Sequence, residues 1–357
     1  MFISNKSFLY DSHIHAGIDS FRVLYKGFKL KKNIIKKIKN CHSDSSVYIE
    51  PCVNITYGAD DPFLFGTGVS ITSLLLYNND VNFHFHIFSN QVSAENFDLF
   101  KKLAHQYDTK ITFYLLDDVI LKTLPTASIS WNHSIYFRLI AIDYFADKFD
   151  SIIYLDSDII CKKSLHPLLN ESFSDKKLIA VHDEFVDTSE LKQIDPTIYF
   201  NSGFLYLNLS EMRNENLTDK VISIVKNGNF THPDQDALNI IFNDNVKIID
   251  HCFNSFFNID SLVKSKKNKF KITPDTVLIH YVGVSKPWHD WTQCYDDVNY
   301  FKIAKDSSPW KEKPFMRPCS YKQLARKSAH LKNNGKYIQA IVFYIKYISK
   351  KLLSRIL

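Results

Sequence analysis

From Val53 onward, short apolar runs alternate with amphipathic stretches, the pattern expected of a parallel sheet flanked by helices. VNITYGADD, FHFHIFSN, KITFYLLDD and SIIYLDSDII read as strands, the last being the most apolar, and LIAVHDE, FNSGFLYLNL and VKIID continue the series. GTGVSITSLLLYNN, NFDLFKKLAHQY, SIYFRLIAIDYFADKF and HPDQDALNIIFND read as the intervening helices. Residues 1–50 precede this alternation and read as an N-terminal extension, polar at first and then lysine-rich through KGFKLKKNIIKKIKN. Residues 284–320 turn irregular, with Pro287, Pro309, Pro314 and Pro318 and three of the four tryptophans. Beyond them, Ile338, Ile341, Val342, Ile345, Ile348, Leu352 and Ile356 fall on one side of a helical wheel. Lys332, Lys336, Lys346, Lys350 and Lys351 fall on the other, which predicts a basic amphipathic helix.

With 357 residues, 45% of them hydrophobic, and only 9 glycines, the chain can bury a large core and is neither disordered nor low-complexity. Its formal charge of +6 is unevenly placed: the last 47 residues carry +11, so the other 310 carry −5. An acidic body repels phosphate, which argues against nucleic acid as a partner. The six cysteines form no CxxC pair, so neither a disulfide framework nor a zinc site is expected, and a reducing compartment fits. MFISNKSFLYDSHIH lacks the apolar centre of a signal peptide, and no run of about 18 uncharged apolar residues follows, so neither secretion nor membrane spanning is expected.

The strongest local feature is Asp156-Ser157-Asp158, where the most apolar strand ends in two carboxylates. Alternation along a strand would point both the same way. Two carboxylates in an apolar setting repel and are costly to desolvate, so a divalent ion is the economical explanation, and hard oxygen ligands suit Mg²⁺ or Mn²⁺. The alternative is a strand-end turn whose Asp side chains cap a following helix. Gly58-Ala59-Asp60-Asp61 ends the first strand, where a doubly wound sheet places a nucleotide's base and ribose; a solvent-exposed Asp turn is the alternative. No GxGxxG or GxxxxGK[ST] occurs, so a dinucleotide fingerprint and a P-loop are both unsupported. The segment HYVGVSKPWH offers His280 to a metal, and Lys286 with the backbone near Gly283 to phosphate oxygens. A structural role for the histidine is the competing reading. Asn201-Ser202-Gly203 and Asp234-Gln235-Asp236 suit a hydroxyl-rich ligand, or in the blander case Asp234 caps a helix beside Pro233. Arg138 lies in an apolar helix and needs an anionic partner if buried.

Taken in order, YGADD, SIYFRL, YLDSDI, FNSGFLYLNL, HPDQDALN and HYVGVSKPWH closely resemble glycosyltransferase family 8, and in particular its lipopolysaccharide core hexosyltransferases. The resemblance spans about residues 51 to 300, with residues 301–357 similar to the basic C-terminal region those enzymes carry. It implies an α/β fold of the GT-A type: a Rossmann-like, mostly parallel nucleotide-sugar-binding domain over 51–300 with an α-helical basic C-terminal extension. It further implies transfer of a hexose from UDP-glucose or UDP-galactose with retention of configuration. By position, Asp156, Asp158 and His280 would ligate Mn²⁺ or Mg²⁺, and Gly58 and Asp60 would contact uridine. Arg138, Asp183 and Asn201 would meet the donor sugar or diphosphate, with Asp234 and Gln235 near the anomeric centre, while Gly283 and Lys286 would close over the diphosphate. Pro62-Phe63 is a departure, since many members carry Asn-Tyr after the preceding acid.

The resemblance implies, as acceptor, the outer core of lipopolysaccharide, reached from the cytoplasmic side of the inner membrane, with the basic tail on the membrane surface. The alternative is a tail helix packed on the enzyme body with its lysines solvated. An α1,3-linkage is the leading expectation, with the 1,2-glucosyltransferase of the same pathway as the nearest rival. A non-catalytic carbohydrate or membrane-surface binding protein on the same fold is the rival from another class. A carboxamide at Gln235 is a poor nucleophile, so a front-face path is expected over double displacement.

Overall fold

The computed structural model describes residues 34–42, 52–124, 133–189, 194–228, 230–264 and 271–356, so the N-terminal segment read as lacking a signal peptide and the first half of the lysine-rich stretch lie outside the described residues. The strands are β1 (Ile35–Asn40), β2 (Val53–Gly58), β3 (Phe83–Ser89), β4 (Lys110–Leu116), β5 (Ser151–Leu155), β6 (Ile159–Cys161), β7 (Leu178–Val181), β8 (Phe204–Asn208), β9 (Val246–Ile249), β10 (Ser255–Phe256) and β11 (Leu278–His280). The helices longer than two turns are α1 (Leu64–Tyr77), α2 (Ala94–Gln106), α3 (Tyr136–Phe145), α4 (Leu217–Asn227), α5 (Pro233–Phe242), α6 (Asn299–Asp306), α7 (Tyr321–Asn333) and α8 (Tyr337–Ile356).

Eight strands form one sheet in the order β1-β4-β3-β2-β5-β8-β7-β9, parallel from β4 through β5. β8 runs antiparallel to both neighbours, and β1 is an antiparallel edge strand. Alternate side chains of β5 enter two cores: Ile153 and Leu155 meet α1 and α2, while Ile152 and Tyr154 meet α3, α4 and α5. β1 lies within the segment read as an N-terminal extension. Its exposed Lys36 and Lys37 face solvent at the sheet edge, where charge discourages pairing with another chain.

SIIYLDSDII, read as one strand, is two. β5 ends at Leu155, Ile159 N–H donates to Asp156 O at 3.1 Å in a tight turn, and β6 leaves for a second, three-stranded sheet of order β10-β11-β6. The two acids therefore sit in a turn between sheets, and turn geometry rather than strand alternation brings them together.

The tail forms a helical hairpin of α7 and α8. A capping box between Ser320 and Gln323 starts α7, and Ser328 Oγ donates to Ala340 O at 2.7 Å between the two helices. α7 docks on the body, with His330 buried. α8 does not bury its apolar line: Ile338 is 81% exposed, Ile341 61% and Ile345 57%. Among the described residues, no helix is long and apolar enough to cross a membrane.

Candidate active site

The site lies where the two sheets meet, at the carboxyl end of β5. Its turn is held from both sides: Asp156 N–H donates to Gly203 O at 2.8 Å, Tyr281 N–H donates to Asp158 O at 3.0 Å, and the Ser157 and Thr67 hydroxyls bond at 2.9 Å. Because β11 runs antiparallel to β6 with His280 opposite Ile159, the imidazole falls beside the turn. Ligand atoms of Asp156, Asp158 and His280 lie within 4.8 Å of one another. His280 Nε2 is 3.3 Å from Asp158 Oδ1 and 4.0 Å from Asp156 Oδ2. Two hard carboxylates and one imidazole on a half-open face fit a manganese or magnesium ion.

Cations of the chain balance these acids. Lys286 Nζ donates to Asp158 Oδ2 and to Tyr281 O. Burial alone would push the Asp158 carboxyl up, but the Lys286 ammonium, joined by the His280 ring whenever that ring is protonated, holds it well below the usual carboxylate range. Arg138 is buried on α3 and finds the anionic partners its position demands: Asp156 at 3.3 Å and Asp234 at 3.6 Å, with Ser202 O accepting at 2.5 Å. Burial works against its charge, yet Tyr154 and these acids keep it raised. Asp234 is not the N-cap of α5 but lies in its first turn, where it faces Arg138; burial, opposed by Arg138, raises its carboxyl.

A carboxamide cluster adjoins. Gln235 Oε1 accepts from Ser202 N–H at 3.0 Å and Asn201 Nδ2 at 3.1 Å, while Gln235 Nε2 donates to Asp183 Oδ2 at 3.1 Å and Tyr199 Oη at 3.2 Å. Asn201 Nδ2 also donates to Asp183 Oδ2 at 3.2 Å. Gly203 is indispensable between the two groups, since a Cβ there would lie 2.4 Å from His280 Cε1 and 2.8 Å from Asp156 Oδ2.

The structure thus draws Arg138, Asp156, Asp158, Asp183, Asn201, Asp234, Gln235, His280 and Lys286 into one neighbourhood. Gly58 ends β2 against α3, where a Cβ would meet Phe137 Cβ at 2.8 Å. Asp60 stands two residues on, half-buried, at the entry to the short turn of helix Asp61–Phe63. Asp61 caps the approach to α2 instead, accepting from Ser93 N–H at 2.8 Å and Asn96 Nδ2 at 3.0 Å. Phe63 is 41% exposed and edge-on to Trp288. Gly283 takes φ +90° in the loop that carries Lys286. His289 is a loop fastener whose Nδ1 accepts from Lys286 N–H at 3.0 Å; burial and then Lys286 push its ring down to about 4.

Sequence reasoning missed Tyr154, whose hydroxyl donates to Asp156 Oδ1 at 2.8 Å, and also Tyr199 and Asn254. Tyr154, on β5, stands two residues before Asp156, and that spacing was a usable signal. Asn254, in HCFNSFFN, carried none.

The profile of Glycosyl transferase family 8 matches residues 54–292 and that of its C-terminal region matches residues 295–351. The chain is 36% identical to the lipopolysaccharide 1,3-galactosyltransferase of Salmonella typhimurium over 87% of this chain and 94% of that protein. It is 35% identical to an Escherichia coli lipopolysaccharide 1,2-glucosyltransferase over 82% of this chain and 90% of that protein. The fold is similar to that of the galactosyltransferase LgtC, solved with donor and acceptor sugar analogues, with TM-score 0.60, 23% identity, and coverage of 72% of this chain and 96% of that one. The chain belongs to glycosyltransferase family 8, and its fold is of the GT-A type.

Proposed function

We propose that this family 8 member is a retaining hexosyltransferase that moves galactose or glucose from a UDP-sugar to the outer core of lipopolysaccharide, forming an α1,3-linkage. The convergence of Asp156, Asp158 and His280 beside the Arg138–Asp234 pair and the Gln235 cluster carries the reading. In it, residues 51–300 are the catalytic domain and 301–357 a membrane-proximal region. The near-equal identity to a 1,2-glucosyltransferase favours that linkage as the second reading.

A divalent cation on Asp156, Asp158 and His280, manganese or magnesium, would supply charge neutralisation to the diphosphate. Lys286, the ammonium in contact with Asp158, adds positive charge on the same side. Gly58 and Asp60 are assigned to the uridine, Gly283 to the diphosphate through its backbone, and Arg138, Asp183 and Asn201 to the sugar and diphosphate. Asp234 and Gln235 stand at the anomeric centre. Gln235 Oε1 already accepts from Ser202 N–H and Asn201 Nδ2, which makes it a still poorer nucleophile. That supports a front-face path: the bond from anomeric carbon to diphosphate oxygen breaks, the acceptor oxygen bonds to that carbon, and the hydroxyl proton passes to the departing diphosphate.

The exposed apolar line of α8 and the chain's basic C-terminus support attachment to the anionic face of the cytoplasmic membrane, where the acceptor's lipid anchor lies. The deciding experiment incubates purified protein with UDP-glucose or UDP-galactose and defined truncated core acceptors, with and without Mn²⁺, and reads mass and linkage of the product. An α-linked hexose added only with cation is expected. UDP release without a glycosylated acceptor, or no turnover with either donor, overturns the reading.

A further inference from the structure

Asn254 ends the short helical turn His251–Asn254, is 0% exposed, and stands between the two halves of the site. Its Oδ1 lies 3.0 Å from His280 Nδ1, and its Nδ2 lies 3.2 Å from Asn201 Oδ1. The direction of every bond in this chain follows from one backbone donor. Gly203 N–H donates to Asn201 Oδ1 at 3.0 Å, so that atom is a carbonyl oxygen, and Asn254 must present its amide nitrogen to it. Asn254 then turns its oxygen to His280, and Nδ1 of the imidazole must carry the proton. The other ring nitrogen, Nε2, is the one facing Asp156 and Asp158. A second backbone donor, Ser202 N–H, fixes Gln235 in the same way at the far end.

We propose that Asn254 is a positioning residue that sets the His280 tautomer for metal binding and ties the metal ligands to the carboxamides of the sugar site. Partners of this kind hold a ligating histidine in its tautomer and orientation, and losing one typically costs metal affinity about 10- to 100-fold. Here the partner has a second duty, because its amide nitrogen also donates to Asn201, which in turn donates to Gln235 and Asp183. The proposal rests on the reading of Asp156, Asp158 and His280 as cation ligands.

The two duties separate by substitution. Asn254→Leu removes both hydrogen bonds, and Asn254→Asp keeps an acceptor for His280 Nδ1 but loses the donor to Asn201. Mn²⁺ affinity is measured on the full chain without donor, by electron paramagnetic resonance of free Mn²⁺, alongside donor turnover. Asn254→Leu is expected to weaken Mn²⁺ binding by about 10- to 100-fold. Asn254→Asp is expected to bind Mn²⁺ at least as tightly as the native protein while kcat falls. Native Mn²⁺ affinity in a folded Asn254→Leu protein overturns the proposal. A third measurement needs no folded variant at position 254: ¹⁵N–¹H correlation spectra of the metal-free native protein at mildly alkaline pH, with the ring assigned through His280→Gln. The proton is expected on Nδ1; finding it on Nε2 overturns the proposal. If the native protein fails to bind Mn²⁺, the ligand reading fails, and the tautomer still decides the role of Asn254.

Discussion

Lys286 Nζ rests on Asp158 Oδ2, so a carboxylate assigned to the cation is already neutralised by the chain itself. The side chains involved are only 14% and 9% exposed, so the charge is poorly screened by water. Lysine and cation therefore compete for the charge of one carboxylate. Lys286→Gln is expected to tighten Mn²⁺ binding about tenfold, the size of one charged hydrogen bond. It should also lower kcat about 100-fold, since the same ammonium is assigned to the leaving diphosphate. Calorimetry and steady-state kinetics read the two effects separately; a parallel loss of affinity and rate would show that the lysine supports the metal site rather than competing with it.

Asp156→Asn and Asp158→Asn each remove one hard ligand from the group of three. Turnover is expected to fall at least about 100-fold in each, in keeping with the loss of leaving-group stabilisation. In the native enzyme, chelation should abolish turnover and added Mn²⁺ restore it. Full activity after exhaustive chelation would remove the cation from the reaction.

Arg138 is buried between Asp156 and Asp234, so removing it strands two acids. Arg138→Met is expected to cost about 3–5 kcal/mol of stability in urea denaturation, the usual penalty for breaking a buried pair from one side. Arg138→Lys should recover only part, because an ammonium cannot reproduce the planar fork that meets Asp156, Asp234 and Ser202 O together. Equal stability of the two variants would mean that charge alone is required.

His330 on α7 donates through Nε2 to Asp260 Oδ1 at 2.9 Å, and Asp260 also accepts from Ser285 Oγ at 2.6 Å, next to Lys286. The C-terminal hairpin is thus fastened to the loop that carries Lys286. Burial alone would raise the Asp260 carboxyl, but His330 and Ser285 hold it down at about 2. A carboxyl held below its unfolded value of about 3.9 contributes stability that is complete above that pH and is lost as the pH falls towards 2. His330→Ala is expected to lose about 2 kcal/mol at neutral pH, the scale of a hydrogen bond to a charged group. The difference from native should shrink as acid takes the pH below about 4, which urea titrations across pH can follow.

The parallel strands and their helices were legible because apolar runs and amphipathic spacing recur locally from Val53 onward. Asp156, Asp158, His280 and Lys286 were legible because each belongs to a motif at a strand end. What sequence could not supply is the turn that splits SIIYLDSDII between two sheets, since both halves are equally apolar and the break depends on pairing with β8 and β11. Nor could it supply Asn254, whose two partners lie 26 and 53 residues away and meet it only once β11 and the Asn201 loop are in place. The tail was legible as a helix with one apolar side. Its apolar period was visible, but whether that face is covered by the body depends on where α7 docks, and the face is left open.

That open face makes the last prediction. Ile338, Ile341, Ile345, Leu352 and Leu353 are each more than half exposed on α8, an unusual array on a helix surrounded by water. A cut after Pro318 would remove α7 as well and with it the His330–Asp260 fastening, so substitution on α8 is the cleaner test. Ile341→Glu with Ile345→Glu leaves the α7–α8 contact at Ser328 and Ala340 untouched. Each exposed isoleucine entering lipid is worth about 1.5–3 kcal/mol, so the pair should weaken binding to anionic vesicles at least about 100-fold. Cosedimentation with phosphatidylglycerol vesicles measures it, and high salt should weaken the native protein's binding by screening the lysines. Turnover on a soluble, delipidated core acceptor should stay at the native level. If the double variant still sediments with the vesicles as the native protein does, the apolar face of α8 is not what meets the membrane.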